Sequence, residues 1–386
     1  MKQKHCLGYA EKIFESQPGF RADLGNDRHF DPGAFYNFLD HLKGKIPAGL
    51  LGVKLAGKSV EGRSVNLLTL GNGPLPVLLW SQMHGDESTA TAAIADMLLY
   101  FSQHPTDEEV KRLFSALTLH FLPLVNPDGA ARRQRRNAQN IDVNRDAVAL
   151  QTPEGSLLKS MQHSLQPVFG FNLHDQELST VGSPPELTAL ALLAPAFDQE
   201  KSDNEVRVKA KHLAACFAEA MNLFIEGKIA KYDDAFEPRA FGDSFQKWGT
   251  STLLVESGHL KDDPQKELLR RLNVTGLLSS LYAIASGEFL QTAMETYDAL
   301  PFNSKRAYEK ILRNVGIQTA SGERFQADLG LSSQVDTHSE PPLKLVDIGD
   351  LSTFTALEEF DGKDLVVTQT DLRIGEPVSP PILKHL

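Results

Sequence analysis

Residues 76–88 read Pro76-Val-Leu-Leu-Trp-Ser-Gln-Met-His-Gly-Asp-Glu-Ser88. The apolar run from Val77 to Trp80 predicts a buried strand, and the apolar run from Ala90 to Phe101 predicts a helix. Between them lies a short turn of small and polar residues. This turn presents His84 and Glu87, three positions apart, at the end of a strand and just before a helix.

His84 and Glu87 are candidate ligands for a metal ion. A catalytic Zn²⁺ site uses three protein ligands and keeps a fourth position open. His174 is the third candidate, because it too follows an apolar run, in Val168-Phe-Gly-Phe-Asn-Leu-His174. A chance His-x-x-Glu pair is unremarkable among 12 histidines, and His174 forms another one with Glu177. We interpret the segment around Glu177 as an open loop, which favours the pair of His84 with Glu87.

Further polar segments also follow predicted strands. They are the turn Asn126-Pro-Asp-Gly129, the basic run Arg132-Arg-Gln-Arg-Arg136, the stretch Asn140-Ile-Asp-Val-Asn-Arg-Asp146 and the strand end Ser251-Thr-Leu-Leu-Val-Glu256. Each has an ordinary explanation by itself, such as a solvated arginine face or a strand-end carboxylate. In open α/β sheets, however, ligands bind beyond the carboxyl ends of the strands. Strands that end at His84, His174 and Glu256 therefore predict one shared crevice.

The order and spacing of these motifs resemble the zinc carboxypeptidases of the carboxypeptidase A type, including their succinylglutamate desuccinylase and aspartoacylase branch. The resemblance covers roughly residues 50 to 287, and it includes a hairpin at Gly57–Arg63. It implies one zinc ion per chain, with His84, Glu87 and His174 as the ligands. It also implies that Glu256 is the general base that takes a proton from the attacking water.

The resemblance assigns roles to the arginine-rich segments as well. Arg135 resembles the side chain that polarises the scissile carbonyl, and the adjacent Arg136 is the alternative. Asn144 and Arg145 resemble the residues that bind the terminal carboxylate of the substrate. Asp142 resembles the acceptor that orients a ligand imidazole.

The sequence departs from the family pattern at several positions. Asp146 follows Arg145, where the family has asparagine. The tyrosine that covers the substrate in the family has no clear counterpart, because Tyr232 lies further upstream than expected, and we leave it unassigned. Arg239 and Asp243 are candidates for lining the specificity pocket, although a surface loop is the favoured interpretation for both.

Composition excludes several classes of protein. The chain has 386 residues, a net charge of −11 and a pI near 5.6, which argues against nucleic-acid or anionic-membrane partners. Cys6 and Cys216 are too few for a disulfide framework. The N-terminal residues lack the apolar segment of a signal peptide, and no apolar run approaches the roughly 18 residues of a membrane span. The expected location is the cytoplasm.

The predicted fold class is α/β: a mixed, mostly parallel sheet sandwiched by helices, with a small β-rich C-terminal domain. Strands are predicted at 50–56, 64–70, 76–81 and 117–125, and helices at 205–222 and 265–286. We expect a catalytic domain at 1–290, which includes an N-terminal helical segment at 1–49, and the C-terminal domain at 300–386. His338 is expected to be a loop residue.

Three functions remain open from the sequence. The leading one is a zinc metallocarboxypeptidase that hydrolyses the C-terminal peptide bond of a peptide. The alternative is a zinc amidohydrolase or deacylase that acts on N-acyl amino acids or cell-wall peptides. Both substrates carry a free carboxylate. The third is a catalytically silent binding protein, which would lack a ligand or the base, and neither is missing.

Overall fold

The computed structural model describes residues 5–47, 49–333 and 342–386. His338, which was expected to be a loop residue, lies outside these ranges. Among the helices that the structure describes, none is long and apolar enough to cross a membrane.

Most of the described strands before residue 300 build one large sheet. They are β1 (Leu51–Lys58), β2 (Ser64–Leu70), β3 (Leu75–Ser81), β4 (Leu117–Leu122), β5 (Phe169–Asp175), β6 (Thr180–Val181), β7 (Glu186–Leu187), β8 (Leu190–Leu193), β9 (Ile229–Lys231) and β10 (Ser251–Ser257). Within the described ranges, eight of them form a sheet in the order β1-β2-β4-β3-β5-β10-β8-β9, and β6 pairs with β7. The four central strands β4, β3, β5 and β10 are parallel to one another. β1 runs antiparallel to β2, and β8 runs antiparallel to β10. The predicted mixed, mostly parallel sheet is confirmed.

Helices cover both faces of this sheet, and one more lies in the C-terminal region. They are α1 (His5–Ser16), α2 (Pro32–Lys43), α3 (Thr89–Gln103), α4 (Glu108–Ala116), α5 (Pro127–Ala131), α6 (Pro153–Leu165), α7 (Glu205–Ile225), α8 (Phe241–Lys247), α9 (Glu267–Ser286), α10 (Glu295–Asp298) and α11 (Pro380–Leu383) in the C-terminal region. Alternate residues of β3 divide between two cores, as the two-residue period of a strand requires. Val77 and Leu79 join the large core under α1, α2, α3, α4, α7 and α9. Leu78 and Trp80 join a smaller core with residues of α6 and α8.

Two predicted boundaries around Asn126 differ from the structure. The strand predicted to reach Val125 ends at Leu122, and Leu124 beyond it has a φ of 57°, a left-handed conformation outside the β region. The predicted turn at Asn126–Gly129 becomes the start of α5. Asn126 caps this helix by accepting a hydrogen bond from the backbone N–H of Gly129 at 2.9 Å, and a proline follows as the first helical residue.

The C-terminal region is rich in strands, as predicted. Its strands are β11 (Ala307–Gln318), β12 (Arg324–Ser332), β13 (Lys344–Gly349), β14 (Thr355–Asp361) and β15 (Val366–Thr368). They form a second sheet with the order β13-β12-β11-β14, in which β15 also pairs with β11. This sheet has its own hydrophobic core, which includes Leu312, Leu329 and Leu345. The boundary at residue 300 between two domains stays a prediction.

Candidate active site

The candidate site lies where the chain reverses its direction of travel across the sheet. From β3 the chain crosses through α3 to β4 on one side, whereas β5 lies on the other side of β3. The loops at the carboxyl ends of β3 and β5 therefore diverge, and such a switch point is where open α/β sheets bind ligands. His84 follows β3, and His174 and Glu256 lie near the ends of β5 and β10.

Glu87 joins the two histidines in one buried cluster. Its Oε1 lies 2.7 Å from Nδ1 of His84, and its Oε2 lies 2.7 Å from Nδ1 of His174. The exposed fractions of His84, Glu87 and His174 are 2%, 7% and 2%. In the part of the chain that the structure describes, this is the one group of His, Cys, Asp or Glu side chains close enough to hold a metal ion.

The turn after β3 is shaped so that Glu87 points back at the histidines. Gly85 packs against the backbone of α5, and a Cβ at this position would lie 2.0 Å from the carbonyl carbon of Gly129. The backbone N–H of Glu87 donates to the carbonyl oxygen of His84 at 3.2 Å. The backbone N–H of Asp175 donates to Oε2 of Glu87 at 3.2 Å, which fixes the carboxylate from the side of β5.

Charge within the cluster favours a cation beside Glu87. Burial opposes ionisation, but the attraction of His84 and His174 outweighs it and holds the pKa of Glu87 well below its usual value. Burial also disfavours imidazolium, yet Glu87 and Asp142 raise the pKa of His84 to about 9. At His174 burial prevails and lowers the pKa. Two imidazole nitrogens and one carboxylate oxygen are a donor set that catalytic zinc sites use, so the residues fit that ion.

Asp142 and Arg135 surround the cluster on the side of α5. Oδ1 of Asp142 lies 3.0 Å from Nε2 of His84, the arrangement expected for an acceptor that orients a ligand imidazole. The guanidinium of Arg135 donates to Oδ2 of Asp142 at 3.1 Å and to Oε1 of Glu87 at 3.3 Å. Arg136 instead donates to the backbone carbonyl of Asn140 at 3.2 Å. Of the two adjacent arginines, the structure brings Arg135 to the cluster.

Asn144 and Arg145 form a 3₁₀ turn directly after Asp142. The side chain of Asn144 is buried: Nδ2 lies 3.5 Å from Nε2 of His174, and Oδ1 accepts the backbone N–H of Phe241 at 2.9 Å. Arg145 is 41% exposed, and its Nε lies 3.9 Å from Oε2 of Glu237. Its Nη1 also donates to the backbone carbonyl of Asn144 at 2.7 Å, which holds the partly exposed guanidinium beside Asn144.

Asp146, where the sequence departs from the family pattern, supports the adjacent loop. Its carboxylate accepts hydrogen bonds from the backbone N–H of Gln151 and Thr152 at 2.8 Å and from the hydroxyl of Thr152 at 2.7 Å. The side chain is buried and holds the start of α6. The departure therefore serves the loop rather than the cleft.

Glu256 is buried beside the cluster and has an oxygen without a partner. Among the described atoms, Oε2 of this carboxylate has no hydrogen bond. Burial, and then repulsion from Glu87, raise the pKa of Glu256 well above its usual value. Glu177, the competing carboxylate, is 89% exposed and lies 3.5 Å from Nζ of Lys305, outside the cluster.

Asp243 corrects one expectation. Arg239 is exposed, as a surface loop predicts, and it pairs with Glu237 at 2.6 Å. Asp243 is instead buried in α8, where its Oδ1 accepts the backbone N–H of Glu237 at 3.0 Å. Burial raises the pKa of Asp243 to about 7. The surface-loop interpretation was wrong for this residue, because the turn before α8 folds over its side chain.

Tyr232 lies close enough to Glu256 to feel its charge, although the sequence left it unassigned. It directly follows β9, and its ring packs against Val181, Ala191 and Ala230. Burial, followed by the negative charge of Glu256, raises the pKa of Tyr232 to about 12. The spacing of tyrosine and glutamate along the chain did not reveal this proximity, which depends on β9 lying two strands from β10.

Comparison with known proteins identifies the family that this chain resembles. Residues 35–173 match the model of the zinc carboxypeptidase family, so the predicted resemblance is confirmed. Carboxypeptidase D of Drosophila melanogaster is 31% identical over 166 residues, which cover 37% of this chain and only 11% of that protein. The segment that matches the family model, residues 35–173, contains His84 and Glu87 and ends just before His174.

Two solved structures share the fold. A metallo-carboxypeptidase from Burkholderia cenocepacia superposes with a TM-score of 0.53 at 19% identity, over 67% of this chain and 70% of that one. A metallo-carboxypeptidase from Pseudomonas aeruginosa, in complex with (2-guanidinoethylmercapto)succinic acid, gives a TM-score of 0.51 at 18% identity, over 68% and 70%. At these identities the likeness concerns the fold alone.

Proposed function

Because residues 35–173 match the model of the zinc carboxypeptidase family, we propose that the chain is a zinc-dependent metallocarboxypeptidase that hydrolyses the C-terminal peptide bond of peptides. The observation that carries the proposal is the position of Glu87 between two imidazoles, one of which, His174, is the register partner of Glu256. A solvated surface cluster would not bury these groups together.

His84, Glu87 and His174 would hold one zinc ion through the two Nδ1 atoms and the carboxylate. Asp142 keeps the His84 ring in place by accepting a hydrogen bond from Nε2. The lone pair of Nδ1 is then free to bind the metal. When bound, zinc lowers the pKa of a water ligand toward about 7 and polarises a carbonyl oxygen.

Glu256 is proposed as the general base. Its unpartnered Oε2 can accept a proton from the attacking water and then donate it to the leaving amine. A raised pKa makes the Glu256 carboxylate a stronger base toward the attacking water.

The arginines are proposed to bind the two charged parts of the reacting substrate. Arg135 lies next to Glu87 and can donate to the carbonyl oxygen as that oxygen gains negative charge. Arg145, with Asn144 beside it, is proposed to bind the terminal carboxylate, because a guanidinium presents two parallel N–H donors to such a group. The carboxylate-bearing ligand of the Pseudomonas aeruginosa neighbour is consistent with this assignment.

The test compares substrate classes on one preparation of the enzyme. Zinc is removed with a chelator and returned, and products from short peptides and from N-acyl amino acids are identified by mass spectrometry. We expect zinc-dependent release of single C-terminal residues from the peptides. Cleavage confined to N-acyl amino acids would establish the deacylase instead, and no zinc-dependent product would favour a binding protein.

A further inference from the structure

Lys266 is a buried lysine at the back of the candidate site. It precedes α9, has a φ of 55°, and is only 4% exposed. Its Nζ donates to Oδ2 of Asp175 at 3.1 Å and to the backbone carbonyl of Ser257 at 3.4 Å. A lysine is almost never fully buried unless it is paired, so this ammonium group requires an explanation.

The two partners of Lys266 are the neighbours of two proposed active-site residues. Asp175 follows His174 at the end of β5, and its backbone N–H donates to Oε2 of Glu87. Ser257 follows Glu256 at the end of β10. One ammonium group therefore joins the strand end that carries a proposed ligand to the strand end that carries the proposed base.

The two carboxylate oxygens of Asp175 differ in their contacts. Oδ2 also accepts the hydroxyl of Thr89 at 2.6 Å, whereas Oδ1 is buried without a partner among the described atoms. Lys266 is thus the cation that balances this carboxylate. Without it, a buried negative charge would stand next to His174 and near Glu87 and Glu256, where its repulsion would act on the cluster.

The backbone pairing of β5 with β10 does not by itself require a buried lysine at this position. The ladder between β5 and β10 already pairs His174 with Glu256 and Asp175 with Ser257. Lys266 adds a charge and two hydrogen bonds at the last pair of this ladder. The contact with Lys266 restrains Asp175, whose backbone N–H donates to Glu87.

We propose that Lys266 is a positioning residue, which holds the ends of β5 and β10 in register so that Glu87 and Glu256 keep their places around the metal. The proposal rests on the proposed function, since it concerns the same site. It predicts that loss of the ammonium group weakens retention of zinc and slows turnover, with little effect on substrate binding.

The experiment compares Lys266→Met with Lys266→Arg and with a control, Lys211→Met. Lys211 lies on α7, where it pairs with Asp203 at 2.6 Å, and it contacts none of the cleft residues described above. The readouts are the rate of zinc release to a chelator, kcat and KM on a C-terminally free peptide, and the melting temperature.

We expect Lys266→Met to accelerate zinc release and to lower kcat, each by about 10–100-fold, because loss of an outer partner of a metal site has effects of that size. KM should stay within about threefold of the wild-type value, because a residue that positions the metal site acts on turnover rather than on substrate binding. Lys266→Arg should recover part of both losses. Lys211→Met should lower the melting temperature without changing zinc release.

Zinc release and kcat in Lys266→Met equal to those of Lys211→Met would overturn the proposal. If Lys266→Met does not fold, the double variant Lys266→Met/Asp175→Asn, which leaves no unbalanced carboxylate, is measured instead. Zinc release faster than in Lys211→Met is still expected, because the ammonium link between the ends of β5 and β10 is lost, and release equal to that of Lys211→Met would overturn the proposal. If the chain cleaves no peptide, the proposed function fails while zinc release still decides the role of Lys266. A wild-type chain that binds no zinc would overturn both.

Discussion

His174 and Glu256 are register partners on the adjacent parallel strands β5 and β10. Side chains of such partners point to the same face of the sheet, so the imidazole and the carboxylate lie side by side. Their separation is set by the backbone ladder rather than by a loop. Sites built on strands hold their geometry more accurately than sites built on loops, which supports assigning chemistry to this pair.

Replacement of either histidine should remove the metal. We expect His84→Ala and His174→Ala to bind far less than one zinc per chain, because two ligands cannot retain the ion as three do. Elemental analysis of the purified proteins measures this, with Glu177→Ala as the control that should keep its zinc. Full stoichiometry in both histidine variants would exclude these residues as ligands.

Glu256→Gln should keep zinc and lose turnover. An amide preserves the size of the side chain but cannot accept a proton, and general-base catalysis contributes about 10²–10⁴-fold. Steady-state kinetics with zinc-loaded protein provides the measurement, and Glu177→Gln is the matched control. A Glu256→Gln enzyme within a few-fold of wild type would move the proton transfer to another group.

Arg145→Ala should reduce turnover of substrates with a free carboxylate by roughly 10–200-fold, at about 1.4 kcal/mol per decade. A charge-assisted hydrogen bond of about 1.5–3 kcal/mol is lost. Arg145→Lys should recover only part, since a point charge lacks the planar fork. The measurement compares kcat/KM values. Arg132→Ala is the control, because it also removes an arginine but one whose ion pair is with Glu61 rather than with a residue of the site. An Arg145→Ala enzyme as active as that control would refute the assignment.

Asp243 should make stability depend on pH. Its pKa is raised by burial to about 7, so the folded chain holds a proton that the unfolded chain releases near pH 4. The stabilisation by this proton is complete below the unfolded pKa and is lost as pH rises to about 7, by at most about 1.4 kcal/mol per pH unit.

Asp243→Asn removes this dependence and keeps the oxygen that accepts the Glu237 N–H. The free energies of unfolding of wild type and variant, from urea titrations at about pH 4.5 and 7.5, should therefore diverge in favour of the variant at the higher pH. A difference between the two proteins that is the same at both pH values would contradict the raised pKa.

The strand ends were predictable because the central strands are buried on both faces. A continuous apolar run that stops at a polar residue marks such an end, and this signal located His84, His174 and Glu256. The parallel arrangement of the strands then brought the three residues to one edge of the sheet.

Other parts of the site depend on contacts between distant segments. Lys266 and Asp175 are 91 positions apart, and no spacing pattern connects a lysine with such a partner. Asp243 lies in a polar stretch and is buried only because the turn at Glu237 folds over α8. Periodicity reports the environment of whole elements, whereas the burial of a single polar side chain is decided by tertiary packing.

The central claim is that the enzyme recognises a free C-terminal carboxylate next to the scissile bond. The most direct measurement compares the rates at which zinc-loaded wild-type enzyme cleaves one peptide with a free C-terminus and the same peptide with an amidated C-terminus. The account predicts release of the terminal residue from the free peptide and a rate lower by roughly 10–200-fold for the amide, equivalent to the loss of the Arg145 contact. Equal rates for the two peptides would contradict it.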